Sequence, residues 1–220
     1  MNVIQDEKSK MPTFGKPTMT KNSKYQNNDA SDDESTAEVG ELNVEVHKNN
    51  IYFYEDITVE SVLFLSHQIS KMEKHLLKLS MDYQLETLPK IHLYIHSKGG
   101  DAFAGLSAMS VLKNCRVPVV CIADGIVASA ATFLLLGATS GRWIRRNSCV
   151  LIHQIRTEFW GPYDELKDEM KNSKNLMKSI KRIYRQNSTM PKEIIEEIMS
   201  KEIYLSDRRC IEYGLVDKII

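Results

Sequence analysis

A serine, a histidine and two turns rich in small residues are the parts of this sequence whose types and spacing suit covalent chemistry. Ser129 lies in GIVASAAT (125–132), where an apolar β-branched run gives way to small residues that open a helix. A helix start offers positive potential and free N–H groups, which suit a developing oxyanion. SKGGD (97–101) sets Gly99 and Gly100 in a turn whose backbone could approach a ligand closely and offer its own N–H groups. His153 closes the next strand, CVLIHQ (149–154). Imidazole is the common side chain able to take a serine proton near neutral pH. An acid must then orient the ring, and Glu202, Asp207 and Asp217 all lie in the last segment, where spacing does not choose among them. The hydrolase elbow G-x-S-x-G is absent. The competing reading is structural: a small capping serine, and a strand-end histidine bonded to backbone, one of six in the chain.

These residues need elements to hold them. IYFY (51–54) reads as a strand, and Thr58 then caps a helix to about Leu79, with Val62, Leu65, Ile69, Met72 and Leu76 at three- and four-residue spacing. IHLYIH (91–96) is a strand with Ile91, Leu93 and Ile95 on one face. It is followed by the SKGGD turn and the helix AGLSAMSVLKNC. VPVVCIAD is the third strand, ended by a turn at Asp124-Gly125, and SAATFLLLG is its helix. Strand, turn, helix in repetition predicts an α/β domain with a parallel sheet, and ligands of such sheets collect at the carboxyl ends of strands. Tyr163 to Gln186 predicts a long charged helix with a narrow stripe of Leu166, Met170, Met177, Ile180 and Tyr184. Such a helix packs on one neighbour, as a surface helix or as an arm that meets another subunit. PKEIIEEIMSK is a helix with Pro191 in its first turn, and YLSDRRCIEYGLVDKII gives a cap at Ser206, a short helix, a stop at Gly214 and a last strand.

Composition narrows the classes. The chain has 220 residues, with 29 basic and 29 acidic side chains, so no basic excess draws it to nucleic acid or acidic lipid. Residues 1 to 43 carry eight acids and five bases among Asn, Ser and Thr, with few large apolar side chains. They are expected to form a disordered polar tail on a domain spanning 44–220. The start, MNVIQDEKSK, has no apolar h-region. Residues 117–138 are apolar enough to raise a membrane span, but Pro118, Asp124 and Gly125 break them into a buried strand and helix. The four cysteines show no C-x-x-C pair, which points to reduced thiols, no metal and a cytoplasmic protein. No Walker A sequence occurs, and no cofactor is expected.

IHLYIHSKGGDAFAGLSAM, ADGIVASAATFLLLGA, NSCVLIHQ and YLSDRRCIEYGLVDKI, in that order over roughly residues 50 to 220, resemble the proteolytic subunit of Clp protease. The resemblance implies the ClpP/crotonase fold, repeated β-β-α units with a parallel sheet and a protruding helical handle, here about residues 156–186. It places the nucleophile on Ser129, the general base on His153, and the oxyanion donors on the backbone N–H of Gly100 and of Ala130. The family acid is an aspartate four residues before the serine of an LS pair, and that position holds Glu202 here, with Asp207 as the reserve. Lys201 takes the place of a cation that contributes to subunit contacts. Peptide is expected to bond the backbone at Gly100, Asp101, Gln154 and Ile155. Lys98 and Asp101 depart from the usual S-P-G-G and apolar residue, GGDAFAG is closer to phage head-maturation relatives, and the usual axial-loop segment is missing before IYFY.

The resemblance implies a serine endopeptidase acting on unfolded or extended polypeptide inside a homo-oligomer of two stacked seven-membered rings. A partner AAA+ unfoldase would supply any ATP dependence. Three alternatives stand beside it. They are a virus-encoded protease processing capsid or scaffold proteins, an inactive structural ring subunit, and a crotonase-type acyl-CoA enzyme. The last has no need of a serine–histidine pair.

Overall fold

A computed structural model describes residues 42–220; the predicted polar tail, apart from its last two residues, lies outside them. The described chain forms the strands β1 (Val44–His47), β2 (Asn50–Phe53), β3 (Ile91–Ser97), β4 (Val119–Ala128), β5 (Gly141–Ile144), β6 (Cys149–Leu151), β7 (Tyr204–Ser206) and β8 (Lys218–Ile219). Its helices are α1 (Val59–Asp82), α2 (Ala102–Asn114), α3 (Ala131–Leu136), α4 (Tyr163–Asn187), α5 (Lys192–Met199) and α6 (Asp207–Glu212). The sheet runs β1-β2-β3-β4-β5-β8, parallel from β2 onward, with β1 antiparallel to β2. β6 pairs parallel with the far end of β4 and carries β7 antiparallel on its other side.

The periodicities explain the layers. β3 alternates, with Ile91, Leu93, Ile95 and Ser97 buried and His92, Tyr94 and His96 on the opposite, partly open face. The buried side meets Leu65, Ile69, Met72 and Leu76 of α1, Ala104, Ala108 and Leu112 of α2, and the fully enclosed α3. Thr58 caps α1 as predicted: its hydroxyl accepts from the Ser61 N–H while the Ser61 hydroxyl accepts from the Thr58 N–H.

Three local expectations need correction. The chain does not turn at Asp124-Gly125. β4 runs straight through that dipeptide, and its pairing with β3 slips from Ile95↔Ala123 to Ser97↔Val127. Asp-Gly, a turn signal in sequence, here makes a bulge. Gly125 takes φ +88, and a Cβ there would lie 2.4 Å from the His96 ring. The bulge also divides the strand's other edge: its first half pairs β5 and its last three residues pair β6. The run CVLIHQ is a strand only to Leu151, so His153 lies just past the strand end. Pro191 caps α5 from outside, where its missing N–H costs nothing, rather than lying in the first turn. The short strands β1, β5 and β7 carry no alternation long enough to read and become strands through their partners.

Of the α4 stripe, only Ile180 and Tyr184 are buried; Leu166 and Met170 are exposed. The first half of α4 therefore finds no cover within the described chain, while its second half joins the core.

Candidate active site

Ser129 lies in the two-residue turn between β4 and α3. Its φ is +55°, a left-handed conformation that costs a side-chain-bearing residue about 1 kcal/mol or more. Two backbone hydrogen bonds, one side-chain hydrogen bond and one close approach hold it there. Its N–H donates to the Leu151 carbonyl at 2.8 Å, and its carbonyl accepts from the Thr132 N–H at 3.0 Å and the Thr132 hydroxyl at 2.6 Å. Gly99 backs directly onto it. A Cβ on Gly99, at φ +99, would lie 2.6 Å from the Ser129 Cβ and 2.7 Å from the Ala128 carbonyl oxygen.

The two expected oxyanion donors are free for the reason that the local geometry uses their neighbours instead. Gly100 forms an isolated parallel bridge with Ile57. In that bridge Ile57 donates to the Gly99 carbonyl at 2.8 Å and Asp101 donates to the Ile57 carbonyl at 2.8 Å, so the Gly100 N–H faces away from both. Ala130 is the N-cap of α3, and its N–H lies ahead of the helix's own bonding. Neither N–H is engaged within the described residues.

Ser129, Gly100 and His153 line one groove of about 520 Å³, with Asp101 and Phe103 at the start of α2, Ile155 to Thr157 on the opposite wall, and Glu169, Ser173 and Leu176 of α4. Sequence reasoning missed that α4 wall. Glu169, Ser173 and Leu176 keep the i, i+4, i+7 spacing of one helix face, but they flank the apolar stripe rather than belong to it.

The acid is less simple. His153 Nδ1 is buried and has no hydrogen-bond partner. Paired positions of β6 and β7 end at Leu151↔Tyr204, two residues short of both His153 and Glu202, and beyond them the Gln154 N–H bonds the Met199 carbonyl, so the register does not continue. The Glu202 carboxylate, however, is ion-paired with Arg156, a residue the sequence did not single out. The other two carboxylates are engaged elsewhere. Asp207 accepts from the Asn147 N–H at 3.4 Å and the Arg208 N–H at 2.7 Å, and Asp217 is bonded to Arg142. Lys201 pairs with Glu197 one turn back, at 2.6 Å.

Backbone groups along the groove differ in availability. Asp101 uses its N–H on Ile57, its carbonyl on the Gly105 N–H, and its carboxylate on the Ala104 N–H as the cap of α2. Gln154 donates to the Met199 carbonyl at 3.0 Å. The Ile155 N–H meets only the Met177 sulfur at 3.4 Å, a weak acceptor that a peptide carbonyl would outcompete.

Among the described residues, no group of three His, Cys, Asp or Glu side chains is placed to hold a metal ion, and no helix is long and apolar enough to cross a membrane. Burial raises the thiol pKa of Cys121, and that of Cys210 to about 12, so both stay protonated packing groups at neutral pH.

Residues 45–220 match the family model described as Clp protease. The chain is 29% identical over 132 residues to an ATP-dependent Clp protease proteolytic subunit of Deinococcus radiodurans, covering 60% of this chain and 65% of that protein. That match spans just under two thirds of the relative's length. It is 29% identical over 160 residues to the ATP-dependent Clp protease proteolytic subunit 2 of Treponema denticola, covering 71% of this chain and 80% of that one. Among solved structures, an asparagine-to-aspartate mutant of ClpP1 from Listeria monocytogenes superposes with a TM-score of 0.65 over 79% of this chain and 91% of its own, at 24% identity. That likeness is one of fold.

Proposed function

Because the chain belongs to the Clp protease family, we propose that it is a serine endopeptidase of extended polypeptide, with Ser129 as nucleophile. The observation that carries this reading is the left-handed Ser129 at a strand–helix turn, in one groove with His153 and flanked by two unengaged backbone N–H groups. Ser129 Oγ attacks the scissile carbonyl while His153 takes its proton. The carbonyl oxygen, now negative, is met by the N–H groups of Gly100 and Ala130. His153 returns the proton to the leaving amine, and water then hydrolyses the acyl-enzyme by the same route. Glu202, two residues ahead of the strand that pairs with β6, is the acid that holds the ring once it leaves Arg156. Substrate lies extended between Gly100 and the segment Gln154 to Ile155, bonded mainly through its backbone, which gives broad side-chain tolerance.

The protein works as a homo-oligomer. Residues 156–186 act as the handle, and the uncovered Leu166 and Met170 are what a neighbouring subunit would bury. In this reading the chain forms two stacked seven-membered rings enclosing the sites, fed by a partner AAA+ ATPase in the cytoplasm, and the relatives named ATP-dependent support the ATPase partner. Scaffold processing without an ATPase is the narrower version of the same chemistry.

One observation favours a second reading. With Glu202 on Arg156 and His153 Nδ1 unpartnered, the triad is not assembled in the single chain, as an inactive structural subunit would require. Intact-mass labelling with a fluorophosphonate separates the two, on protein whose assembly is verified in the same sample. Labelling that vanishes in Ser129→Ala supports the peptidase. An assembled chain that takes no label would overturn it in favour of the structural subunit.

A further inference from the structure

The Ser129 carbonyl oxygen belongs to the same peptide unit as the Ala130 N–H. In a planar trans amide the two point in opposite directions, so whatever fixes one aims the other. The Thr132 hydroxyl donates to that carbonyl at 2.6 Å, beside the Thr132 N–H at 3.0 Å. A threonine hydroxyl has one proton, and here it is committed to Ser129. The Tyr184 hydroxyl, which is bonded to Thr132 Oγ1, must therefore be the donor in that pair. The chain of bonds thus has one direction, Tyr184 to Thr132 to the Ser129 carbonyl.

Both side chains are deeply enclosed, Thr132 at 1% exposure and Tyr184 at 2%. Burial pushes the Tyr184 hydroxyl pKa well up, so it keeps its proton at any working pH. A buried chain of donors polarises along its length, and donors on an amide oxygen make the amide N–H more positive. Tyr184 also lies on α4, near the end that joins the core, with its ring 6.2 Å from Phe133 of α3.

We propose that Tyr184 and Thr132 are positioning residues: they aim and strengthen the Ala130 N–H as an oxyanion donor and tie it mechanically to α4. The inference rests on the peptidase reading and adds to it a route from the handle to the oxyanion site. Neither residue touches the reacting atoms. Both act through the peptide between Ser129 and Ala130.

The test uses the assembled full chain and the variants Tyr184→Phe, Thr132→Val, Thr132→Ser and the double Thr132→Val/Tyr184→Phe. Peptide hydrolysis and inhibition by a peptide boronate are measured, with native mass spectrometry and thermal midpoints as controls. Losing one oxyanion donor outright typically costs 10²–10³-fold, so weakening one is expected to lower kcat about tenfold in Tyr184→Phe. KM is expected to stay within about twofold, because ground-state binding does not use this N–H. Boronate inhibition weakens in step with kcat. Thr132→Val loses as much or more, Thr132→Ser recovers most of the rate, and the double variant matches Thr132→Val, since Tyr184 acts only through Thr132.

A Tyr184→Phe variant with unchanged kcat, or with a rise in KM and a lowered midpoint instead, would overturn the inference. Thr132→Ser as damaged as Thr132→Val would do the same. If the wild-type assembly takes no fluorophosphonate, the peptidase reading itself fails and carries this inference down with it. Labelled wild type with insensitive variants sinks the inference alone.

Discussion

The carboxylate of Glu202 is ion-paired with the guanidinium of Arg156, both more than half exposed, while the buried Nδ1 of His153 has no hydrogen-bond partner. An exposed pair of this kind is worth only ~0.2–1 kcal/mol, so it competes with the triad geometry without preventing it. Arg156→Ala is accordingly expected to raise kcat about threefold by freeing the carboxylate. Steady-state peptide hydrolysis checks this, and a fall in kcat would mean that Arg156 serves substrate rather than restrains Glu202.

Glu202 and Asp207 are separable by the same assay. Glu202→Gln keeps the size and removes the charge that stabilises imidazolium, and is expected to lower kcat about 10²-fold or more. Asp207→Asn, whose carboxylate faces the Asn147 and Arg208 N–H groups, should change kcat by no more than about twofold. The reverse pattern would move the acid to Asp207.

Gly99→Ala tests the support of the nucleophile. The new methyl would lie 2.6 Å from the Ser129 Cβ on a backbone at φ +99, so strain and overpacking add. A loss of about 2–4 kcal/mol in denaturant unfolding is expected, with loss of Ser129 labelling. Wild-type stability together with wild-type labelling would show that the turn is not held as described.

Acid should weaken one tie between α1 and the loop after α2. Burial of Glu73 by itself raises its carboxyl pKa, but Arg116, donating its Nε at 2.7 Å and its backbone N–H at 2.9 Å, outweighs this and holds the value low. A depressed folded pKa stabilises the fold above the unfolded value and stops doing so as pH falls through the folded one. Glu73→Gln should therefore lower the thermal midpoint at pH 7, with the deficit closing as pH drops below about 4. A deficit independent of pH would assign the effect to packing.

Deleting residues 1–40 should leave both the thermal midpoint and assembly unchanged. The described fold anchors its own first residues: the Asn43 carbonyl accepts from the Tyr54 N–H at 3.0 Å, and the Asn43 N–H donates to Glu55 at 3.2 Å. Native mass spectrometry of the truncated chain decides, and loss of the oligomer would assign those residues a part in assembly.

Much of this protein is local and therefore written in its sequence. Thr58 with Ser61 fixes the start of α1, the three- and four-residue spacing of Val62 to Leu76 fixes its buried face, and the alternation of Ile91, Leu93 and Ile95 fixes β3. Small residues around Ser129 mark a strand passing into a helix, whose first N–H groups have no carbonyl one turn back to bond. What depends on partners distant in the chain was decided by the tertiary structure. Asp124-Gly125 became a bulge because β3, β5 and β6 all pair the strand that contains it. Whether Glu202 meets His153 or Arg156 depends on side-chain reach across a strand end, which spacing does not encode. Likewise, the link from Tyr184 to the Ser129 carbonyl joins residues 55 positions apart, and only the packing of α4 against α3 brings those hydroxyls together.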